Sequence, residues 1–180
     1  MQVVNSIFTF ILLAAIFVLG STDKYSIPFF DDMATKLVGG EIENSAVGNL
    51  TGYDKVVVTI NGYNISAFVA DTNEKRTNGL SRVGNLNKDQ GMLFILDYPS
   101  KQGFWMKEMN FPIDIIWISD NHTVIDIKKN LEPCVSILMC PVYSPAFDAK
   151  YVLETGPGFS ESHSIAPGSE AVINMTHIYG

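Results

Sequence analysis

The hydrophobic pattern changes twice along the chain. Residues 7–19, IFTFILLAAIFVL, are apolar at every position except Thr9 and show no polar face. A run of about 13 residues is short for a membrane-spanning helix, which needs about 20, and has the length of a signal-peptide core. Val18 and Gly20 stand at the small-residue spacing of a cleavage site. Residues 1–22 are therefore expected to act as an export signal, or to remain uncleaved as a membrane anchor through residues 7–19. Residues 23–52 hold no sustained period. They carry Gly39, Gly40, Gly48 and Gly52 among polar and acidic side chains, the composition of a tether.

From Tyr53 the pattern alternates. Tyr53 to Ile60 is rich in β-branched residues, Asn61-Gly62 is the strongest two-residue hairpin signal, and Tyr63 to Ala70 alternates again. Asp71 or Thr72 caps a short helix running through Asn78, which Gly79 ends. Gly91 to Leu96 reads as a buried strand and Phe104 to Met106 as another. Ile113 to Ser119 and Thr123 to Lys128 flank Asp120-Asn121-His122 in a second hairpin. Tyr151 to Thr155 is a strand stopped by Gly156-Pro157-Gly158, Phe159 to Ser164 one helical turn, and Glu170 to Ile178 the last strand. Short strands with Gly, Pro and Asn turns predict a mainly β fold, a compact β-sandwich or a partly closed barrel with one or two short helices. Residues 53–180 form this single domain.

Composition supports a packed core, with 47% hydrophobic and 17% charged residues. Twelve Lys and Arg against 19 Asp and Glu leave a net charge of −7, which repels phosphate backbones, so no nucleic-acid partner is expected. Cys134 and Cys140 bracket a short loop flanked by Pro133, Pro141 and Pro145. In an oxidising compartment such a loop closes a disulfide that stabilises by about 2–3 kcal/mol. Free thiols, or metal or redox chemistry, are the alternatives, although the spacing is wider than C-x-x-C. Sequons begin at Asn49, Asn64, Asn121 and Asn174 and give export weak further support.

Six runs follow one another in order: Glu74-Lys75-Arg76 to Gly79-Leu80, Gly91-Met92-Leu93-Phe94, Phe104-Trp105-Met106-Lys107, Phe111-Pro112-Ile113-Asp114, Tyr151-Val152-Leu153-Glu154 and Pro167-Gly168. Together they resemble the uncharacterised family called domain of unknown function 192, over about Tyr53 to Gly180. The resemblance implies a jelly-roll-like β-sandwich and no established activity. The family often has Asn where this chain has Glu108, and a basic residue where it has Val83, with Arg82 one place earlier. The Cys134/Cys140 segment looks like a disulfide-loop version of the family.

Trp105, Lys107, Glu108, Asn110 and Asp114 form the densest polar and aromatic cluster. On a strand, Trp105 and Lys107 share one face, and Met106 and Glu108 the other. An indole beside an ammonium suits a sugar face or an anionic edge, so Trp105, Lys107, Arg82 and Asn110 are the candidate ligand-binding residues. The plainer alternative packs Trp105 in the core and leaves Lys107 solvated or paired with Asp114. Asp114 lies in an apolar strand and needs a partner, for which Lys107 or Arg82 is available. Glu154, before the glycine bend, could form the carboxylate pair of a glycoside hydrolase with Glu108 or Asp114. His122, His163 and His177 have no metal-ligand spacing, and there is no P-loop, Rossmann glycine pattern or G-x-S-x-G. No metal or cofactor is expected. These features point to a non-catalytic extracytoplasmic binding or accessory module for an envelope glycan, peptide or protein. A polysaccharide hydrolase and a structural envelope protein are the alternatives.

Overall fold

The computed structural model describes residues 50–175, apart from 82, 135, 137 and 138. The apolar run 7–19, almost all of the tether, Arg82 and His177 lie outside the described residues. Among the described residues no helix is long and apolar enough to cross a membrane.

The elements in chain order are β1 (Lys55–Ile60), β2 (Tyr63–Ala70), α1 (Asn73–Asn78), β3 (Gln90–Ser100), β4 (Phe104–Trp105), β5 (Ile113–Ile118) and β6 (Val124–Leu131). After these come β7 (Val142–Tyr143), β8 (Ala149–Thr155), α2 (Phe159–Ser162) and β9 (Ala171–Asn174). The mainly β expectation holds, with two short helices. At the first hairpin Ile60 faces Tyr63 across Asn61 and Gly62, whose φ values of 51° and 82° are both left-handed. That is the turn an Asn-Gly pair favours, because its twist matches that of the strands. Thr72 caps α1 by accepting the Lys75 N–H at 3.2 Å, and Gly79 ends it. Some strand limits differ from those expected, β6 running on to Leu131 and β8 starting at Ala149. Strand β3 continues to Ser100, and the two-residue β7 exists only because it pairs with β4.

Seven strands form one curled sheet in the order β6-β5-β8-β3-β2-β1-β9, and β4-β7 form a second, small one. Every pairing in the large sheet is antiparallel except β2 with β3, which α1 connects. The two edges meet at a bridge between Thr123 and Glu170, supported by Val124 N–H donating to Ser169 O at 2.9 Å and Ala171 N–H to His122 O at 2.8 Å. The main sheet is thus the partly closed barrel of the two expected architectures.

Side-chain alternation divides the apolar residues into two clusters. Val58, Ala67, Leu93, Ile116, Leu153 and Ile173, with their neighbours, come from strands right around the sheet and fill its concave side. Phe68, Met92, Phe94, Ile115, Trp117 and Val152 point the other way. Leu50, at the end of the tether, is buried in this second cluster, and Phe104 and Tyr143 of the small sheet pack against it. Gly91 lies where β3 and β8 pack closely, since a Cβ there would lie 2.6 Å from the Glu154 carbonyl oxygen.

Asp114 is fully buried and needs satisfied oxygens. Its Oδ1 accepts the N–H groups of Asn130 at 2.9 Å and Gly158 at 3.1 Å, and its Oδ2 accepts that of Ser160 at 2.9 Å. Of the two candidate partners, Lys107 or Arg82, Lys107 pairs with Glu108 instead and Arg82 lies outside the described residues; the donors to Asp114 are backbone amides. Donors fixed in the chain satisfy a buried acid without ordering a long cationic side chain. These bonds tie β5 to the end of β6 and to the start of α2. Asp114→Ala strips the partner from three amides, each worth about 1–3 kcal/mol when left unpaired. The expected loss is on the order of 3 kcal/mol, read as a lower midpoint in urea unfolding; an unchanged midpoint would show that the amides find other acceptors.

Candidate functional site

The sheet face away from the barrel interior carries a cleft of about 540 Å³. Its floor is Phe94 and Leu96 of β3 with Glu154 of β8. One wall is α1 and the turn after it, through Asn73, Thr77, Asn78 and Leu80, and the opposite wall is the small sheet, through Gly103, Phe104, Trp105 and Val142. A second hollow of about 550 Å³ adjoins it and adds Tyr53, Lys107 and Glu108. Thr77, Asn78, Gly79, Ser81 and Trp105 line both, so the two form one groove with the indole along it.

Both walls are braced. The Arg76 guanidinium donates to the carbonyls of Asp71 and Ile95, each at 2.8 Å, and pairs with Asp97 at 3.0 Å, which pins α1 to β3. Opposite, Cys134 and Cys140 form the disulfide, with Cα atoms 5.3 Å apart. Cys134 N–H donates to Met106 O at 3.1 Å, and β7 begins two residues beyond Cys140. The crosslink thereby steadies both strands of the wall. Phe104 turns inward, its ring edge-to-face with Phe94 at 5.0 Å and with Trp117 at 6.3 Å.

The structure reunites some of the sequence candidates and separates others. Trp105 is 54% exposed at the cleft mouth rather than packed in the core, beside its cross-strand partner Val142. Lys107 does share its face, with the ammonium 5.3 Å from the indole centroid. Glu108 joins the same side instead of the opposite one: β4 ends at Trp105, Glu108 sits in the following turn with a φ of 57°, and its carboxylate lies 3.9 Å from Lys107 Nζ. Asn110 lines neither hollow; its amide donates to Val83 O at 2.9 Å and fastens a loop. Among the histidines, His163 packs on Tyr63 and Phe159, and His122 lies against Tyr151.

The proposed carboxylate pairs fare differently. Across the β5–β8 ladder Asp114 faces Thr155, and Glu154 faces Ile115. Successive positions point to opposite faces, so Asp114 lies toward the barrel and Glu154 toward the cleft, with the sheet between them. Asp114 and Glu154 share no site. Glu108 lies on the groove side, beyond Trp105.

Glu154 is the unusual group. It is 5% exposed, and its carboxyl has no hydrogen-bond or ion-pair partner among the described residues. Burial raises its pKa from 4.5 to about 8, because an ion here would lose water and gain nothing in return. At neutral pH it is a carboxylic acid able to donate a proton into the cleft. Phe94, Phe104 and Asn78 line the cleft without being among the candidates the sequence offers. Their only sequence signal was membership of the ordered runs or closeness to them.

The residues matched by a family model run from 56 to 173, and the family is DUF192, described as an uncharacterised ACR. The chain belongs to the DUF192 family. Two solved structures resemble it. One, a protein of unknown function from Novosphingobium aromaticivorans DSM 12444, shares 25% identity with a TM-score of 0.64, covering 74% of this chain and 99% of that one. The other, described as a candidate transcription regulator from Sinorhizobium meliloti 1021, also shares 25% identity, with a TM-score of 0.62, over 67% and 95% of the two chains. No curated protein matches. In this DUF192 domain the cleft is thus described by its own geometry alone.

The protonated acid makes stability depend on pH. Below the ordinary value of 4.5, Glu154 keeps its proton folded or unfolded. Between there and about 8 only the unfolded chain releases it, so stability falls by up to about 1.4 kcal/mol per pH unit and levels off above. Glu154→Gln removes this component. Urea titrations of both proteins from about pH 5 to 8.5 should diverge, wild type losing stability relative to the variant; parallel curves would place an ordinary, ionised carboxylate at this position.

Proposed function

We propose that this DUF192 domain is an extracytoplasmic, non-catalytic binding module whose ligand enters the groove past Trp105 and reaches Glu154. The observation that carries the reading is a buried acid with no partner among the described residues, at the floor of an aromatic-lined cleft. A buried polar group left unpaired costs about 1–3 kcal/mol, which folding alone does not recover and an incoming ligand can. An exposed indole at the mouth adds apolar contact area at low cost in conformational entropy. The ligand is a small group carried by a component of the cell envelope. Export rests on the apolar run 7–19, with the disulfide as the kind of crosslink that persists outside reducing compartments.

A second reading draws on the same acid. A carboxyl that keeps its proton at neutral pH is what a general acid requires, and Glu108 is the second carboxylate on that side, the pair a glycan hydrolase would use. Turnover that survives Glu154→Gln would remove this reading.

Binding of the purified protein to envelope fractions, compared with Trp105→Ala, tests the module. Trp105 is exposed, so its loss should leave the unfolding temperature nearly unchanged and weaken binding by about tenfold or more, the range of an interface aromatic worth over 1 kcal/mol. Equal binding by both proteins would move the ligand away from this groove. Export is read separately, from intact mass. Membrane-extracted protein should carry the whole chain or lack about its first 20 residues, as for a signal segment, whereas a full-length chain confined to the cytosol would overturn export.

A further inference from the structure

Resting on that reading of the groove, we infer that the group bound in the cleft is an organic ammonium ion, held between the Phe94, Phe104 and Trp105 rings and paired with Glu154. Three aromatic side chains and one carboxyl converge on the cleft from three separate strands. Phe94 and Phe104 stand at 82° to each other and form a corner rather than a flat stack. Ring faces carry negative charge density and attract cations, most strongly where water is excluded, and aromatic boxes recognise quaternary ammonium groups in this way. Glu154 supplies the countercharge at the floor.

Charge complementarity favours a cation over a neutral or anionic group. Among the described residues the only other charged side chain lining the cleft itself is Arg76, and its guanidinium is already engaged by Asp97 and by two backbone carbonyls, while Lys107 of the adjoining hollow lies 3.9 Å from the Glu108 carboxylate. The chain as a whole carries −7, which draws cations toward it. A volume of about 540 Å³ lies within the range of small-molecule sites and admits a small alkylammonium head with part of its stem. The protein contains its own small-scale example next door, where the Lys107 ammonium rests over the Trp105 ring.

Binding couples to a proton. Burial holds Glu154 as a neutral acid; an arriving ammonium stabilises the carboxylate, and the displaced proton leaves to solvent. Affinity for a permanent cation therefore rises with pH, by about tenfold per unit below the acid's own pKa, and flattens above it.

Calorimetric titration of the purified full-length protein with choline and n-butylammonium, each against its uncharged isostere 3,3-dimethylbutan-1-ol or butan-1-ol, tests the inference. Both cations should bind at least about tenfold more tightly than their isosteres, since burying a charge against a carboxylate and aromatic faces is worth more than about 1.4 kcal/mol. Choline affinity should climb between about pH 6 and 8, and Glu154→Gln should abolish both the cation preference and the climb. Phe104→Leu keeps the acid and removes one ring, so it should weaken choline more than its isostere even should the glutamine variant misfold. Equal affinity for the isosteres, with Trp105→Ala weakening both, would overturn the ammonium assignment and leave the groove as the binding site. Binding by no probe at millimolar concentration would likewise overturn it, while the comparison on envelope fractions decides the module reading separately.

Discussion

Strands β5 and β8 have almost no side facing solvent, and this constraint governs the molecule. All six residues of β5 are buried, as are Val152 through Thr155 of β8. Each side chain must go to one of two packed faces, and strict alternation leaves no choice of which. Two acids fall within these strands, one place apart in register, and so are sent to opposite faces. Asp114 meets three amides and becomes a tie between strand and helix. Glu154 meets aromatic rings and an opening. The same residue type serves architecture on one face and recognition on the other.

The chain announced what depends on short-range rules. Asn61-Gly62, Thr72 with Gly79, and Asp120-Asn121-His122 punctuate the sequence where the structure turns, because turn and cap chemistry acts within a few residues. Other features needed a partner from far away. Val142-Tyr143 has no strand signature in isolation and becomes one only opposite Phe104-Trp105. The exposure of Trp105 follows from that pairing, which points Phe104 inward and the indole out. The place of Glu154 before a glycine bend is visible in the sequence, but its lack of a partner among the described residues is a property of the packed neighbourhood. The sequence offers Lys107 or Arg82 to Asp114 and not its actual amide donors for a related reason: backbone amides are invisible as donors until the loops that present them are in place.

The cleft itself is a composite. Its floor comes from the large sheet, one wall from the crossover helix between the two parallel strands, and the other from the small sheet steadied by the Cys134–Cys140 crosslink. No contiguous motif describes such a site. Its residues lie between positions 73 and 154, and the spacing between them carries no chemical signal.

Closure of the barrel has a bearing on how the chain reaches this state. Strand β1, the first in the chain among the described residues, takes β9 as its outer neighbour, and β9 is the last strand of the described residues. Until residues 171–174 are available, β1 presents Val57 and Thr59 along an unpaired edge, and such an edge is a template for other chains. Long-range pairings of this kind also fold late, since the loop-closure entropy must be met before the contacts form. Synthesis from the N-terminus therefore yields an incomplete, association-prone intermediate for most of its length. A chain that crosses a membrane in an extended form would escape this hazard only by completing its fold on the far side.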